Sequence, residues 1–335
     1  MILELKVKNF FSIKEEQVLS FEATSDNTLE DYYVVEKGQK RVLKLAIIYG
    51  PNASGKTNML KALSFLRSFA LKKGVDKSSP TEHIPFLLSE KTATENGVFN
   101  LSFYAGDMLY SYSLELNNQY VVKESLHYYP SQKPALVFKR LYDESKKLTV
   151  IKIPKAFKLN AASVELLQVS TIPNISVIAA YSGLNIDFPQ LEEAYQFFRK
   201  KITDTVYPNT ELTKWTSDRV NSLPETKDFA VSFLRNADFN ILDIKVNEIE
   251  MPTNRIKEVI TASDLSPEKK EELLQKETVK VNRIGFSHAV KGGASVDFPM
   301  ELESAGTSRF YGLSGVLQFV LTNNSCLSVD EIESS

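Results

Sequence analysis

The sequence has a single cysteine, Cys326, so it cannot form an intramolecular disulfide, and a reducing compartment is expected. Its three histidines, His83, His127 and His288, are too scattered to suggest a metal site. No apolar run approaches the roughly 18–20 residues needed to span a bilayer, so no membrane partner is expected. At the N-terminus Glu4, Lys6 and Lys8 interrupt Ile2, Leu3, Leu5 and Val7, which argues against a signal-peptide core and for a cytoplasmic protein. An excess of charge of one sign is also lacking. Forty Lys and Arg stand against 42 Asp and Glu, a net charge of −2, which excludes a generally basic nucleic-acid binder and an acidic disordered tail as descriptions of the whole chain. Internal repeats and low-complexity segments are absent as well. What remains is an ordinary globular composition over 335 residues, a length that suggests about two domains.

Alternation in Ile2–Phe10 predicts a half-buried strand, and a second strand is expected around Gln17–Phe21. Leu45-Ala-Ile-Ile-Tyr49 is continuously apolar, a pattern that suits a strand covered on both faces. After it, apolar residues at 59, 60, 63, 66, 69 and 70 keep helical spacing. Residues 98–153 read as five short strands punctuated by Asn96-Gly97, Ala105-Gly-Asp107 and Asn117-Asn118, an antiparallel insert. The pattern from about 160 to 235 is helical. Asp243–Ile249 reads as a strand, Ser266–Lys276 as an exposed charged helix, and Asn282–Val290 with Ala294–Pro299 as a hairpin about Gly292-Gly293. A helix over 307–322, with Phe310, Leu313, Val316, Leu317, Val320 and Leu321 on its apolar side, precedes a short terminal strand.

Three motifs carry chemistry. Gly50-Pro51-Asn52-Ala53-Ser54-Gly55-Lys56-Thr57-Asn58 contains G-x-x-x-x-G-K-[ST], placed between an apolar run and an amphipathic helix. Its glycines let the backbone curl N–H groups around phosphates at a helix N-terminus. Lys56 would bridge the β- and γ-phosphates of ATP, and the Thr57 hydroxyl would bind Mg²⁺. The second motif, Cys326-Leu-Ser-Val-Asp330-Glu331, ends an apolar stretch in two carboxylates, costly to bury without a cation. Asp330 would hold Mg²⁺ beside Thr57, and Glu331 would orient and deprotonate the attacking water as the catalytic base. The third, Glu303-Ser304-Ala305-Gly306-Thr307-Ser308-Arg309, opens a helix with small hydroxyl residues and a glycine, which exposes backbone N–H groups to an anion.

In this order, with Asn9-Phe10-Phe11-Ser12 ahead of them and Val-Asp-Glu-Ile-Glu-Ser-Ser at the end, the motifs resemble the ABC-type P-loop ATPase heads. Within these the chain is similar to the RecF/OLD/SMC-like branch, including AAA family ATPases of the RloA type linked to abortive infection. The resemblance is specific at residues 1–70 and 297–335. It implies an α/β P-loop fold, ATP and Mg²⁺ as cofactors, and a homodimer in which Ser304, Ala305, Gly306 and Thr307 act in trans on the γ-phosphate held by Lys56 of a second protomer. It further implies the Walker A part of the ATPase core over 1–97, an antiparallel β subdomain over 98–153, a helical insertion over 154–240, and the signature and Walker B part over 241–335.

Two departures accompany the likeness. Phe11 stands where the family usually carries arginine, and the glutamine loop is matched only loosely, by Gln168 or Asn174. The family also continues past its Asp-Glu strand with further core strands and a switch histidine, so the expectation is a chain truncated after Walker B and inactive alone. The leading function is an ATP-gated, dimerising sensor in phage defence with an effector from an adjacent gene. A DNA-repair ATPase that clamps nucleic acid through Lys72-Lys73, Lys139-Arg140, Lys146-Lys147 and Arg199-Lys200-Lys201 is one alternative; a nucleotide-locked module that never hydrolyses is another. The stretch between Lys56 and Asp330 is long for a transporter cassette, and residues 155–280 lack the heptads of an extended coiled coil. Small-molecule kinases, which share the phosphate loop, lack the serine-glycine helix start.

Overall fold

The computed structural model describes every residue except 75, 238–239, 263–265, 291 and 333–335. Glu333, Ser334 and Ser335 of the terminal motif therefore lie outside the described residues. The chain divides into two units, Met1–Val206 with Asn323–Asp330, and Tyr207–Thr322 with the last residues.

The first unit is organised by a seven-stranded sheet. Its strands, in chain order, are β1 (Ile2–Lys8), β2 (Gln17–Ser20), β5 (Gly97–Ala105), β6 (Met108–Leu116), β7 (Val121–Tyr129), β8 (Ala135–Asp143) and β9 (Leu148–Lys152), arranged β2-β1-β5-β6-β7-β8-β9. All of its neighbours pair antiparallel. The strands expected between 98 and 153 thus continue the sheet begun by β1 and β2. A short helix α1 (Glu30–Tyr33) and the hairpin β3 (Val34–Lys37) and β4 (Lys40–Leu43) lie between β2 and the phosphate loop.

Period-two alternation explains why this sheet has one dry face. Phe99, Leu101, Phe103, Tyr110, Tyr112 and Leu114 are buried, and the register pairs them across β5 and β6 as Phe99 with Leu114, Leu101 with Tyr112 and Phe103 with Tyr110. Asn100, Ser102, Ser111 and Ser113, on the opposite face, are only half-buried. The remaining helices of this unit are α2 (Lys56–Leu71), α3 (Glu90–Thr94), α4 (Ala161–Ser170), α5 (Val177–Tyr181) and α6 (Pro189–Lys200). Of these, α6 inserts Phe197 and Phe198 over the sheet: the Phe197 ring stacks 3.9 Å from Phe103, and Phe198 meets Tyr112 edge-on at 5.5 Å.

The Leu45–Tyr49 run departs from expectation. It forms no strand, and Leu45, Ile47 and Tyr49 are 54, 80 and 97 % exposed. An apolar run becomes a doubly covered strand only when neighbours on both sides supply ladder bonds. Among the described residues none does so here. The parallel pairing found is confined to two bridges, Ile202 with Cys326 and Val206 with Val329.

The second unit contains α7 (Thr213–Ser222), α8 (Pro224–Asn236), β10 (Ile241–Pro252), α9 (Thr253–Ala262), α10 (Pro267–Leu274), β11 (Thr278–Ala289), β12 (Ser295–Pro299) and α11 (Ala305–Asn323). β10, β11 and β12 form an antiparallel sheet in that order, with the expected hairpin between the last two. Ser266 accepts from the Lys269 amide and caps α10, which Pro267 opens.

The apolar side expected for α11 is borne out at Leu313 and Val320, which are buried, with Phe310, Val316 and Leu317 half-buried, and is corrected at Leu321. Leu321 is exposed, and the buried positions are Thr307, Tyr311, Gly312, Leu313, Ser314, Gly315, Gln318 and Val320. A Cβ on Gly312 would sit 2.8 Å from the Leu212 Cβ, and one on Gly315 would sit 2.5 Å from the Thr216 Oγ1. The Thr216 hydroxyl meanwhile donates to the Gly312 carbonyl at 2.6 Å. Close approach at the α7 end adds Gly312 and Gly315 to the buried face beside Tyr311, Leu313 and Val320.

Candidate nucleotide site

The phosphate loop is shaped by its own backbone. Ser54 N–H donates to the Pro51 carbonyl, Ala53 takes φ 63°, and Gly55 takes φ 97° as the N-cap of α2. Gly55 needs its missing Cβ twice over: the left-handed conformation favours glycine, and a Cβ there would lie 3.1 Å from the Ser12 Oγ. No side chain caps α2, and its first turn carries no acidic residue. The positive end of this helix is thus left to an anion, against the usual preference for Asp or Glu at that place.

Lys56 folds back over the loop, its ammonium donating to the carbonyls of Gly50 at 2.9 Å and Pro51 at 3.1 Å. The Thr57 hydroxyl donates to both carboxylate oxygens of Asp330, at 3.1 and 3.0 Å, across 273 residues of sequence. Asp330 is buried and is held by its own backbone, whose N–H donates to the Val206 carbonyl at 2.9 Å. Val206 in turn donates to Ser328, Cys326 to Lys201, and Thr203 to Cys326.

Residues 201–206 therefore carry the acidic segment alongside them. They are tied to α2 by the Ser64–Thr205 hydroxyl bond of 2.7 Å and by the Arg67–Asp204 ion pair. This arrangement places Asp330 against the first turn of α2. Sequence reasoning missed the 201–206 segment, whose two apolar residues, Ile202 and Val206, give little strand signal.

An all-oxygen set, a hydroxyl and a buried carboxylate in contact, suits a hard divalent cation such as Mg²⁺. Glu331 follows at φ 48°, exposed. Pro51, Asn52, Ala53 and Ser54 are exposed along the loop, and Asn58 reaches from α2 to donate to the Ser12 Oγ at 2.7 Å. Ser12 stands in the Asn9-Phe10-Phe11-Ser12 motif, where sequence reasoning assigned it no role.

The segment before the loop is rigidly anchored. Asn9, fully buried at φ 53°, donates through Nδ2 to the Thr92 and Glu95 carbonyls and accepts from the Phe86 N–H. Buried His83 donates from Nε2 to the Asn9 carbonyl at 2.8 Å, and burial lowers its pKa. Phe11, at the position where the resemblance implied arginine, has the Lys61 ammonium 5.1 Å from its ring centre. The cation there comes from one turn beyond Thr57.

Several other expectations resolve into structural roles. Gln168 accepts from the Ile151 N–H, and buried Asn174 donates to the Asp76 and Ser79 carbonyls; neither bonds to Thr57 or Asp330. Arg140 is no phosphate contact, being fully buried. It pairs with buried Glu124 at 3.2 Å and donates to the carbonyls of Ile172, Pro173 and Ile175. Glu124 also accepts from Tyr112 and from the Val177 N–H. Burial raises the Glu124 pKa, opposed by the Arg140 charge. Lys72 is paired with Glu82 and Lys146 with Asp143.

In the second unit, Ser304 begins α11 as its side-chain cap. Its Oγ accepts from the Thr307 N–H at 3.0 Å and lies 2.8 Å from the Thr307 hydroxyl. Ala305 and Gly306 are exposed and half-buried, respectively, and Thr307 is buried. Arg309, one turn in, donates to the Tyr207 and Thr210 carbonyls.

The family model described as "AAA domain, putative AbiEii toxin, Type IV TA system" matches residues 45–335, from the apolar run before the phosphate loop through Asp330 and Glu331. The chain belongs to this family. It is a P-loop ATPase family member of AAA type, with its Walker A loop at Gly50–Thr57 and an α/β fold. Solved structures similar to it include the SMC head domain from Thermotoga maritima, at 14 % identity and TM-score 0.38, covering 99 % of this chain and 78 % of that one. Another is the recombination mediator protein RecF-ATPrS in the RecFOR pathway, at 14 % identity and TM-score 0.32, covering 99 % and 85 %. Both likenesses are distant, and the family membership stands on the 45–335 match. No curated protein matches the chain. Among the described residues, no helix of this AAA-family chain is long and apolar enough to cross a membrane.

Proposed function

We propose that the full-length protein binds and hydrolyses ATP and works as a cytoplasmic, ATP-gated, dimerising regulator in bacterial phage defence, with a separate effector. The observation that carries the ATPase reading is the Thr57–Asp330 contact, which joins the phosphate loop to the acidic segment. The defence role is supported by the family description, which names a toxin and a toxin–antitoxin system.

In this reading the triphosphate lies along the backbone N–H groups of Ala53, Gly55, Lys56 and Thr57, and Lys56 exchanges the Gly50 and Pro51 carbonyls for phosphate oxygens. That exchange replaces two neutral acceptors with charged ones, a gain for an ammonium held in place. Thr57 and Asp330 would hold Mg²⁺, which would supply positive charge to neutralise the phosphates. Glu331 orients water and takes its proton. Ser304, Gly306 and Thr307 of a second protomer meet the γ-phosphate, so that ATP favours the dimer by contacts that ADP cannot make.

The test compares the full-length protein with its Glu331→Gln variant for ATP turnover and for mass in solution with ATP. The expected result is turnover in the parent, and slowed hydrolysis with a longer-lived ATP dimer in the variant. If the substitution neither slows hydrolysis nor traps a dimer, the assignment of Glu331 and the dimer model both fail.

A further inference from the structure

The segment carrying Ser304 is braced from the three-stranded sheet of its own unit. Glu303, the residue before Ser304, meets His288 of β11 with Oε1 2.7 Å from Nε2. Their side chains are 11 % and 21 % exposed. A hydrogen bond to a carboxylate in open water contributes little, but one screened this far from solvent restricts both partners and rewards a fixed geometry. His288 is itself fixed. It sits in register between Ile241 of β10 and Val296 of β12, and the Phe298 ring packs against it edge-on at 5.3 Å.

Downstream of the motif, Arg309 bonds two carbonyls at 2.7 and 2.8 Å. The four residues Ser304–Thr307 are therefore held at both ends, by Glu303 on one side and Arg309 on the other, while the Ser304–Thr307 cap sets the direction of the first α11 N–H groups.

We propose that His288 is a positioning residue: through Glu303 it fixes the orientation in which Ser304, Gly306 and Thr307 are offered to the γ-phosphate of ATP on a second copy of this chain. This inference rests on the reading that the serine-glycine segment acts in trans. It adds a residue 16 positions upstream of Ser304 that no motif contains and that touches neither nucleotide nor metal. The mechanism is entropic. Freed from His288, Glu303 and the start of α11 sample more orientations, and the γ-phosphate must order them when it binds.

The experiment uses the full chain with Glu331→Gln, in which ATP-driven dimerisation is read by sedimentation, and adds His288→Ala, His288→Gln or Glu303→Gln. Binding of a fluorescent ATP analogue at protein concentrations too low to dimerise reports the phosphate loop alone. The expected result is that His288→Ala raises the ATP concentration for half-dimerisation by about tenfold, as loss of one charge-assisted bond allows. His288→Gln, which keeps an N–H donor, recovers most of that loss, and monomer nucleotide affinity stays at the parent value in all variants. A purely structural role for His288 would weaken ATP-driven dimerisation and monomer nucleotide affinity together and overturn the proposal. Dimerisation at the parent's ATP concentration in all three variants overturns it as well. If the Glu331→Gln parent itself stays monomeric with ATP, the trans reading falls and takes this inference with it, an outcome visible before any His288 variant is made.

Discussion

Replacing Asp330 by Asn is the sharpest perturbation of the nucleotide site. The carboxylate is buried, accepts two bonds from the Thr57 hydroxyl, and among the described residues forms no ion pair. Asn keeps one oxygen for the Thr57 bond and leaves the Asp330 backbone bond to Val206 untouched, so the fold of the nucleotide-free protein should hold or gain slightly, because a buried charge disappears. What the change removes is negative charge next to the Mg²⁺ position. Losing an orienting partner of a metal site costs about 10- to 100-fold in metal affinity, or about 1.4–2.7 kcal/mol.

Linkage turns that loss into a melting shift. At about 100 times its Kd, MgATP stabilises the native protein by roughly 2.7 kcal/mol; tenfold weaker binding at the same concentration leaves roughly 1.4. The MgATP-induced rise in Tm should therefore fall to roughly half or less in Asp330→Asn, while the shift caused by ATP with a chelator, which relies on Lys56 and the loop N–H groups, should be unchanged. Differential scanning fluorimetry with and without Mg²⁺ separates the two. An Asp330→Asn protein with a full MgATP shift would refute the role assigned to the Thr57–Asp330 pair.

Three further outcomes are expected. Arg140→Ala strands the Glu124 carboxylate in the core and should cost about 3–5 kcal/mol in urea unfolding; a loss under about 1 kcal/mol would contradict the buried pairing. His83 has its folded pKa lowered by burial, so as pH falls below about 6.5 the unfolded chain takes up its proton first and stability declines. Stability measured from pH 7.5 to 5 should drop, and His83→Gln should flatten that slope without abolishing it, because half-buried His127 is shifted in the same direction. Gly312→Ala should destabilise the second unit by about 1–3 kcal/mol despite alanine's better helix propensity, since its methyl meets the Leu212 side chain; a raised Tm would show that the α7 end yields freely.

Local patterns made much of the molecule legible in advance. Each strand from 97 to 152 announced itself by alternation bounded by turn residues, and each appears within a few residues of its expected limits. The phosphate loop was legible for a different reason: glycine spacing at a helix start is a backbone requirement that side-chain packing cannot disguise. Features that depend on distant partners were not legible. The Leu45–Tyr49 run reads the same whether or not neighbouring strands cover it. Lys139-Arg140 looks like a solvated dibasic pair until Glu124, 16 residues before Arg140, turns out to face it inside the core. The 201–206 segment acquires its role only from the chain more than a hundred residues later, and the close approach that buries Gly312 and Gly315 of α11 shows in no local pattern.

The parallel bridges from 202–206 to 326–329 also set a timetable for synthesis. Walker A is made first, and the oxygen donor that completes the candidate cation site follows 273 residues later. Until then a nascent chain can fold its antiparallel sheet around Phe103 and Phe197 and still lack the means to hold magnesium beside Thr57. Closing so long a loop is slow but adds little to the entropic cost. In the proposed reading, a nascent chain cannot hold magnesium beside Thr57 until Asp330 has been made.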